Sequence, residues 1–224
     1  MPLSLPPEDA EDLRSFPQPE PLVGPGRPDL FRIFRHRDPE TGQTRGPFHF
    51  ASCPGANDAP GGRYDLPAPA GACYLALSPI GAWLEVFRTT RIVASDDVRR
   101  RRLLATRPPR RIRTADLLAK KARAYGVTGE IHTHDDHSLP RAWAMRLHEA
   151  GFRALLGKVR HDPGLHERSL TLLDVAGEHE PYGWRWHADA RPLHDAGELL
   201  SRVQEYGYRV LTPPHDVVTD EMGR

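Results

Sequence analysis

The sequence predicts an α+β fold, strands mixed with flanking helices, on three observations. Strand-like and helix-like runs are interspersed without the regular βαβ rhythm of a doubly wound sheet. The 224 residues suffice for one domain with a real core, and no internal repeat of 20 to 50 residues is present. Apolar content is only 38%, with 23 prolines and 19 glycines, which describes a loop-rich domain rather than a helical bundle.

Residues 1–27 are rich in Pro, Glu and Asp without a periodic apolar face, which predicts a disordered or loosely attached arm. The domain is expected over 28–213, with a tail at 214–224. "DLFRIFR" reads as a strand with Leu30, Arg32 and Phe34 on one face and Phe31, Ile33 and Arg35 on the other. Residues 36–72 form a Gly/Pro-punctuated region with short extended pieces such as "PFHFAS". "CYLALS" is an apolar strand. Ser78 and Pro79 then mark a helix start, with Ser as N-cap and Pro in the first turn, for "PIGAWLEVF". "TRIVAS" is a strand. "TADLLAKKARAYG" and "SLPRAWAMRLHEAG" read as helices, the second with Leu139, Trp143 and Leu147 on one stripe. "FRALLG" and "SLTLLDVA" are buried strands, and "DAGELLSRVQEYGYRVLTPP" a helix and a last strand.

Composition excludes some classes. No run of 18 apolar residues occurs, so no membrane span is expected, and "MPLSLPPEDAEDLRS" lacks the basic and apolar regions of a secretory signal. Two cysteines, Cys53 and Cys73, make no disulfide framework. A cytoplasmic protein with free thiols is expected. The net charge of +1 hides an asymmetry, because Arg99 to Arg123 holds eleven Lys/Arg and one acid. No aromatic interleaves "RRRRLLATRPPRRIR", so base stacking has no support and no direct nucleic-acid partner is expected. A solvated arginine-rich loop, or a funnel for an anionic cofactor, is the preferred reading.

Three constellations carry chemistry. Arg63, Tyr74 and Glu85 are each separated by ten residues, a spacing neither helix nor strand periodicity produces. Arg63 follows two glycines, so its backbone can approach a ligand; Tyr74 could stack on a flat ring; Glu85 lies in "AWLEVF", where a carboxylate is costly unless paired. The set could hold a phosphorylated, ring-bearing substrate, or it is a structural Arg–Glu pair beside a core Tyr. "IHTHDDH" resembles the zinc-binding HxHxDH signature of metallo-β-lactamase-fold hydrolases, or is a polar turn feeding the next helix. The basic segment is the third.

The order of "LFRIFR", "GGRY", "YLALSPIGAWLEVF", "SLPRAWAMRLHEAGFRALLGKVRHDPG" and "SLTLLD" resembles the RES domain over about residues 28–176. The Arg-x10-Tyr-x10-Glu spacing is the most specific part. The resemblance implies a fold related to ADP-ribosyltransferase toxins, a mixed, mostly antiparallel sheet with flanking helices, and an NAD+-consuming activity: glycohydrolase, phosphorylase or ADP-ribosyltransferase. It implies NAD as substrate, no metal, and the toxin role of a type II toxin–antitoxin pair with a helix-turn-helix antitoxin; homo-oligomerisation is left open. Arg32, Arg63, Tyr64, Tyr74, Val159 and Arg160 are implied at the NAD site, with Glu85 and Arg63 catalytic. Val159 enters because alignment through Gly151, Phe152 and Arg160 to Gly164 places it at the family's Ser. Two alternatives stand beside this reading. One, motivated by that missing hydroxyl, is a catalytically lapsed NAD-binding or interaction module. The other is a zinc-dependent hydrolase using His132, His134, Asp136 and His137.

Overall fold

The computed structural model describes residues 2–21, 29–37, 41–54 and 61–212. The expected tail at 214–224 lies outside them. Among the described residues, seven strands form the main sheet: β1 (Leu30–Arg35), β2 (Ala70–Ala76), β3 (Arg101–Arg107), β4 (Thr114–Asp116), β5 (Ala154–Lys158), β6 (Arg168–Val175) and β7 (His187–Pro192). Their order is β7-β3-β1-β2-β6-β5-β4. All neighbours are antiparallel except β4 and β5, which run parallel. The expected mixed, mostly antiparallel α+β architecture is what the chain adopts.

Three longer helices flank the sheet: α1 (Pro79–Phe87), α2 (Ser138–Glu149) and α3 (Gly197–Glu205). Ser78 caps α1 as its sequence predicts, its hydroxyl accepting from Gly81 N at 2.9 Å. At α2 the N-cap is His137, which makes no side-chain cap bond; the Asp136 carboxylate just before it accepts from Ser138 N at 2.8 Å.

Side-chain alternation divides the core. On β2, Cys73 and Leu75 join Leu30, Phe34, Leu104, Leu170 and Leu172 on one face. The opposite face carries two separate clusters. Ala72 and Leu155 pack with Trp143 and Leu147 of α2; Ala76 and Val159 pack with Trp83 and Leu84 of α1 and with Leu199 and Val203 of α3. Between these clusters the same face presents Tyr74, Thr171, Ser169 and Gly157, with Thr171 opposite Tyr74 and Ser169 opposite Gly157. A row of small and polar side chains thus separates two apolar cores.

Three expectations are corrected. The stretch 2–21 is not a loose arm in its described part. Leu13 and Phe16 are buried in the α2 cluster, Phe16 within 6.3 Å of the Trp143 ring, and Trp143 Nε1 donates to Ser4 O at 2.9 Å. Burying two such side chains stabilises by roughly 2 kcal/mol each, so they act as anchors that hold the segment on α2. The first half of the arginine-rich run, Arg101–Arg107, is a sheet strand rather than a solvated loop. Leu103 and Leu104 supply its core side chains, while Arg101 pairs with Asp97 at 3.2 Å and lies over the Phe87 ring at 5.1 Å. "TADLLAKKARAYG" splits into β4 and a 3-10 turn at Lys120–Tyr125, capped by left-handed Gly126, because its apolar residues serve the sheet edge first. No helix among the described residues is long and apolar enough to cross a membrane.

Candidate active site

The cleft opens at the row where the two cores part. A cavity of about 280 Å³ is lined there by Arg63, Tyr64, Tyr74, Glu85, Arg160 and Ser169, among others. Arg63, Tyr74 and Glu85, evenly spaced in sequence, therefore meet at one place, each delivered by a different element.

Arg63 stands on the loop before Leu66–Pro67. Its Nη1 donates to His134 O at 2.7 Å, while Nη2 is buried without a hydrogen-bond partner. Burial lowers its pKa, opposed by Tyr64, Glu85 and Tyr74 nearby. The loop is built by a buried carboxylate. Asp65 Oδ2 accepts from Gly62 N at 2.6 Å and Oδ1 from the Tyr74 hydroxyl at 2.8 Å, while that hydroxyl accepts from Tyr64 N at 2.9 Å. Arg141 of α2 donates through Nε to Gly62 O at 3.1 Å, tying the loop to the helix. Gly62 is required. A Cβ there would lie 2.3 Å from Tyr74 Oη and 2.6 Å from Asp65 Oδ1. Burial, then the Asp65 charge, hold the Tyr74 phenol well above its usual range.

Glu85 comes from α1. Trp83, Leu84 and Phe87 face the core, while Ala82, Glu85 and Val86, at helical neighbour spacing, face the cleft. Burial pushes the Glu85 carboxyl up to about 7, and the opposing pull of Arg63 and Arg88 does not overcome it. It is the one acid on the described cleft wall, against Arg63, Arg88, Lys158 and Arg160. His161 also lines the cleft; burial, then Arg88, Arg160 and Arg63, lower its pKa. Arg160 reaches the exposed carboxylate of Asp135.

Tyr64 is buried with its hydroxyl 3.2 Å from Ile131 O and 3.3 Å from His132 Nδ1. Burial raises the phenol pKa and lowers that of His132 to about 4. Lys158 N donates to His132 Nδ1 at 3.4 Å, so the proton of this neutral imidazole sits on Nε2.

Two sequence-implied site residues sit elsewhere. Val159 is 0% exposed in the α1 cluster and does not line the cleft. The cleft hydroxyl belongs to Ser169 of β6, cross-strand partner of Gly157. Two residues beyond Gly157, Val159 keeps the same face but has passed under α1. Arg32 borders the cleft floor, yet its guanidinium turns to the opposite sheet face, donating to His49 O at 3.4 Å and to Cys73 Sγ. The motif "HTHDDH" does not converge either. His132 faces Tyr64, His134 Nδ1 lies 3.0 Å from Asp136 O, His137 Nδ1 lies 3.2 Å from Gly61 O, and the Asp136 carboxylate accepts from Ser138 N and Oγ. Among the described residues no three His, Cys, Asp or Glu side chains are grouped to hold a metal ion. Asp65, Arg88 and Lys158 are not singled out by sequence reading, and neither His161 nor Ser169 is placed at the site by it. Only Asp65, two residues past Arg63 in a Gly-Gly turn, carried a usable signal.

Comparison with known proteins fits this geometry. No curated protein matches the sequence. The chain is similar in structure to a chain of the M. tuberculosis MbcT–MbcA toxin–antitoxin complex, with a TM-score of 0.51 and 20% identity, covering 77% of this chain and 88% of that one. The sequence matches the RES domain over residues 29–194, a span that contains both apolar clusters' sheet strands and the whole described cleft wall. The chain belongs to the RES domain family.

Proposed function

We propose that the protein cleaves the nicotinamide–ribose bond of NAD+ and acts as the toxin of a toxin–antitoxin pair. The carrying observation is a cleft whose described lining holds one carboxylate, Glu85, among the cationic side chains Arg63, Arg88, Lys158 and Arg160. NAD+ has the complementary pattern: an anionic diphosphate and a cationic pyridinium. When the C–N bond breaks, its electron pair leaves with nicotinamide, which departs neutral and needs no general acid. The ribose carbon becomes oxocarbenium-like, as in glycoside cleavage, and the Glu85 carboxylate is placed to stabilise it. Arg63, with its buried unpartnered Nη2, and Arg160 supply phosphate donors. The Tyr74 ring, its hydroxyl already engaged by Asp65, offers a fixed surface for the nicotinamide.

Water, phosphate or a protein side chain completes the reaction by attacking the ribose carbon. The lapsed-module alternative rested on Val159; the Ser169 hydroxyl that lines the cleft supports the active reading over it. The toxin role and an antitoxin partner rest on family membership and on the similar toxin–antitoxin complex. Incubating the protein with NAD+, with and without inorganic phosphate, and following nicotinamide and the ribosyl product tests the reading. Nicotinamide release is expected, and the product identifies the acceptor. Intact NAD+ under both conditions would overturn it.

A further inference from the structure

The turn after α1 carries an arginine where the backbone asks for glycine. Arg88 has φ 50° and ψ −121°, and Thr90 N donates to Phe87 O at 2.9 Å, closing a four-residue turn over residues 87–90. Those are the dihedrals of the first central position of a type II′ turn, which glycine occupies by default because a side chain there is crowded. The conformation is held from several sides. Arg88 N donates to Leu84 O at 3.0 Å, and Arg88 O accepts from the hydroxyl of buried Tyr208. Such over-determined strain concentrates at functional sites.

The side chain has no structural reason to be arginine. Its guanidinium makes no ion pair or hydrogen bond among the described residues. It lines the cleft three residues beyond Glu85, on the α1 wall, whereas Arg63 stands on the loop wall. Its charge is felt at both Glu85 and His161. We propose that Arg88 is a further substrate-binding residue, a second cation gripping the phosphate portion of the ligand opposite Arg63. This rests on the NAD+ reading above. The planar guanidinium suits two phosphate oxygens at once, and the strained turn is what aims it.

The test separates charge from backbone. ADP-ribose, which has the diphosphate but no nicotinamide, and nicotinamide riboside, which has no phosphate, are titrated into wild type, Arg88→Ala, Arg88→Lys and Arg88→Gly, and each protein is melted. Arg88→Ala is expected to weaken ADP-ribose about tenfold or more, with part recovered in Arg88→Lys and riboside affinity the same throughout. Arg88→Gly is expected to bind as poorly as Arg88→Ala yet melt above wild type. Equal ADP-ribose affinity in wild type and Arg88→Ala overturns the proposal, as does failure of wild type to bind ADP-ribose, an equal loss for the riboside, or a lowered melting point in Arg88→Gly. A wild type that binds ADP-ribose through Arg88 but leaves NAD+ intact would sink the cleavage reading and keep this one.

Discussion

The Tyr74 hydroxyl stands between the Asp65 carboxylate, 2.8 Å away, and the backbone N–H of Tyr64, 2.9 Å away, donating to the first and accepting from the second. A cleft ring and the loop that carries Arg63 are thereby one hydrogen-bonded unit. Tyr74→Phe keeps the ring and removes both bonds. It leaves a buried carboxylate oxygen and a buried N–H short of a partner, at a cost of about 1–3 kcal/mol. Chemical denaturation should show that loss, and NAD+ turnover should fall with it because Arg63 is released. A Tyr74→Phe protein as stable as wild type would mean the unit does not hold the loop.

Gly62→Ala should fail more severely, since the new methyl must displace Tyr74 Oη and an Asp65 oxygen. Gly129→Ala is the control: its backbone is right-handed helical and a Cβ there meets nothing within 4 Å. Melting curves are expected to show Gly129→Ala within about 0.5 kcal/mol of wild type and Gly62→Ala well below it, with turnover abolished.

Glu85 makes a prediction in pH. Its carboxyl is raised from 4.5 to about 7, so the folded protein holds that proton more tightly than the unfolded chain. The burial penalty is therefore absent below the unfolded value, grows as pH rises through the interval, and is complete above about 7. Relative to wild type, Glu85→Gln should gain stability between those limits by up to about 3 kcal/mol. In the proposed mechanism the carboxylate is the active form, so wild-type turnover should rise with pH through the same interval, while Glu85→Gln should turn over about 100-fold more slowly or worse. Denaturation at several pH values and a pH–rate profile check both; a pH-independent stability difference would sink the first half.

Val159 and Ser169 can be told apart. Val159→Ser places a hydroxyl in a closed apolar cluster and should cost about 2–3 kcal/mol without accelerating NAD+ cleavage. Ser169→Ala removes the cleft hydroxyl and should slow cleavage several-fold with little loss of stability. Faster cleavage in Val159→Ser would restore that position to the site.

Legibility followed the kind of signal each residue carries. The start of α1 was readable because Ser78 and Pro79 act locally, and the faces of β1 because period-2 alternation is local too. The ten-residue spacing of Arg63, Tyr74 and Glu85 pointed to the cleft. Ser169 was invisible because its place depends on pairing with Gly157, and register between antiparallel strands has no trace in linear spacing. Strand β3 was missed because its arginines look solvated until Phe87 and Asp97 are known to lie beside Arg101. The arm was missed because Leu13 and Phe16 are two anchors without a period, legible only once Trp143 is seen to receive them.

That anchoring makes the N-terminal segment part of the cleft's support at a distance. Ser4 O and Phe16 meet Trp143 on the inner side of α2, and two residues away on the same helix Arg141 holds the carbonyl of Gly62. Trimming residues 2–21 would strip the brace from the helix that props the Arg63 loop, so a shortened chain could keep every residue of the cleft and still lose the shape that makes them a site.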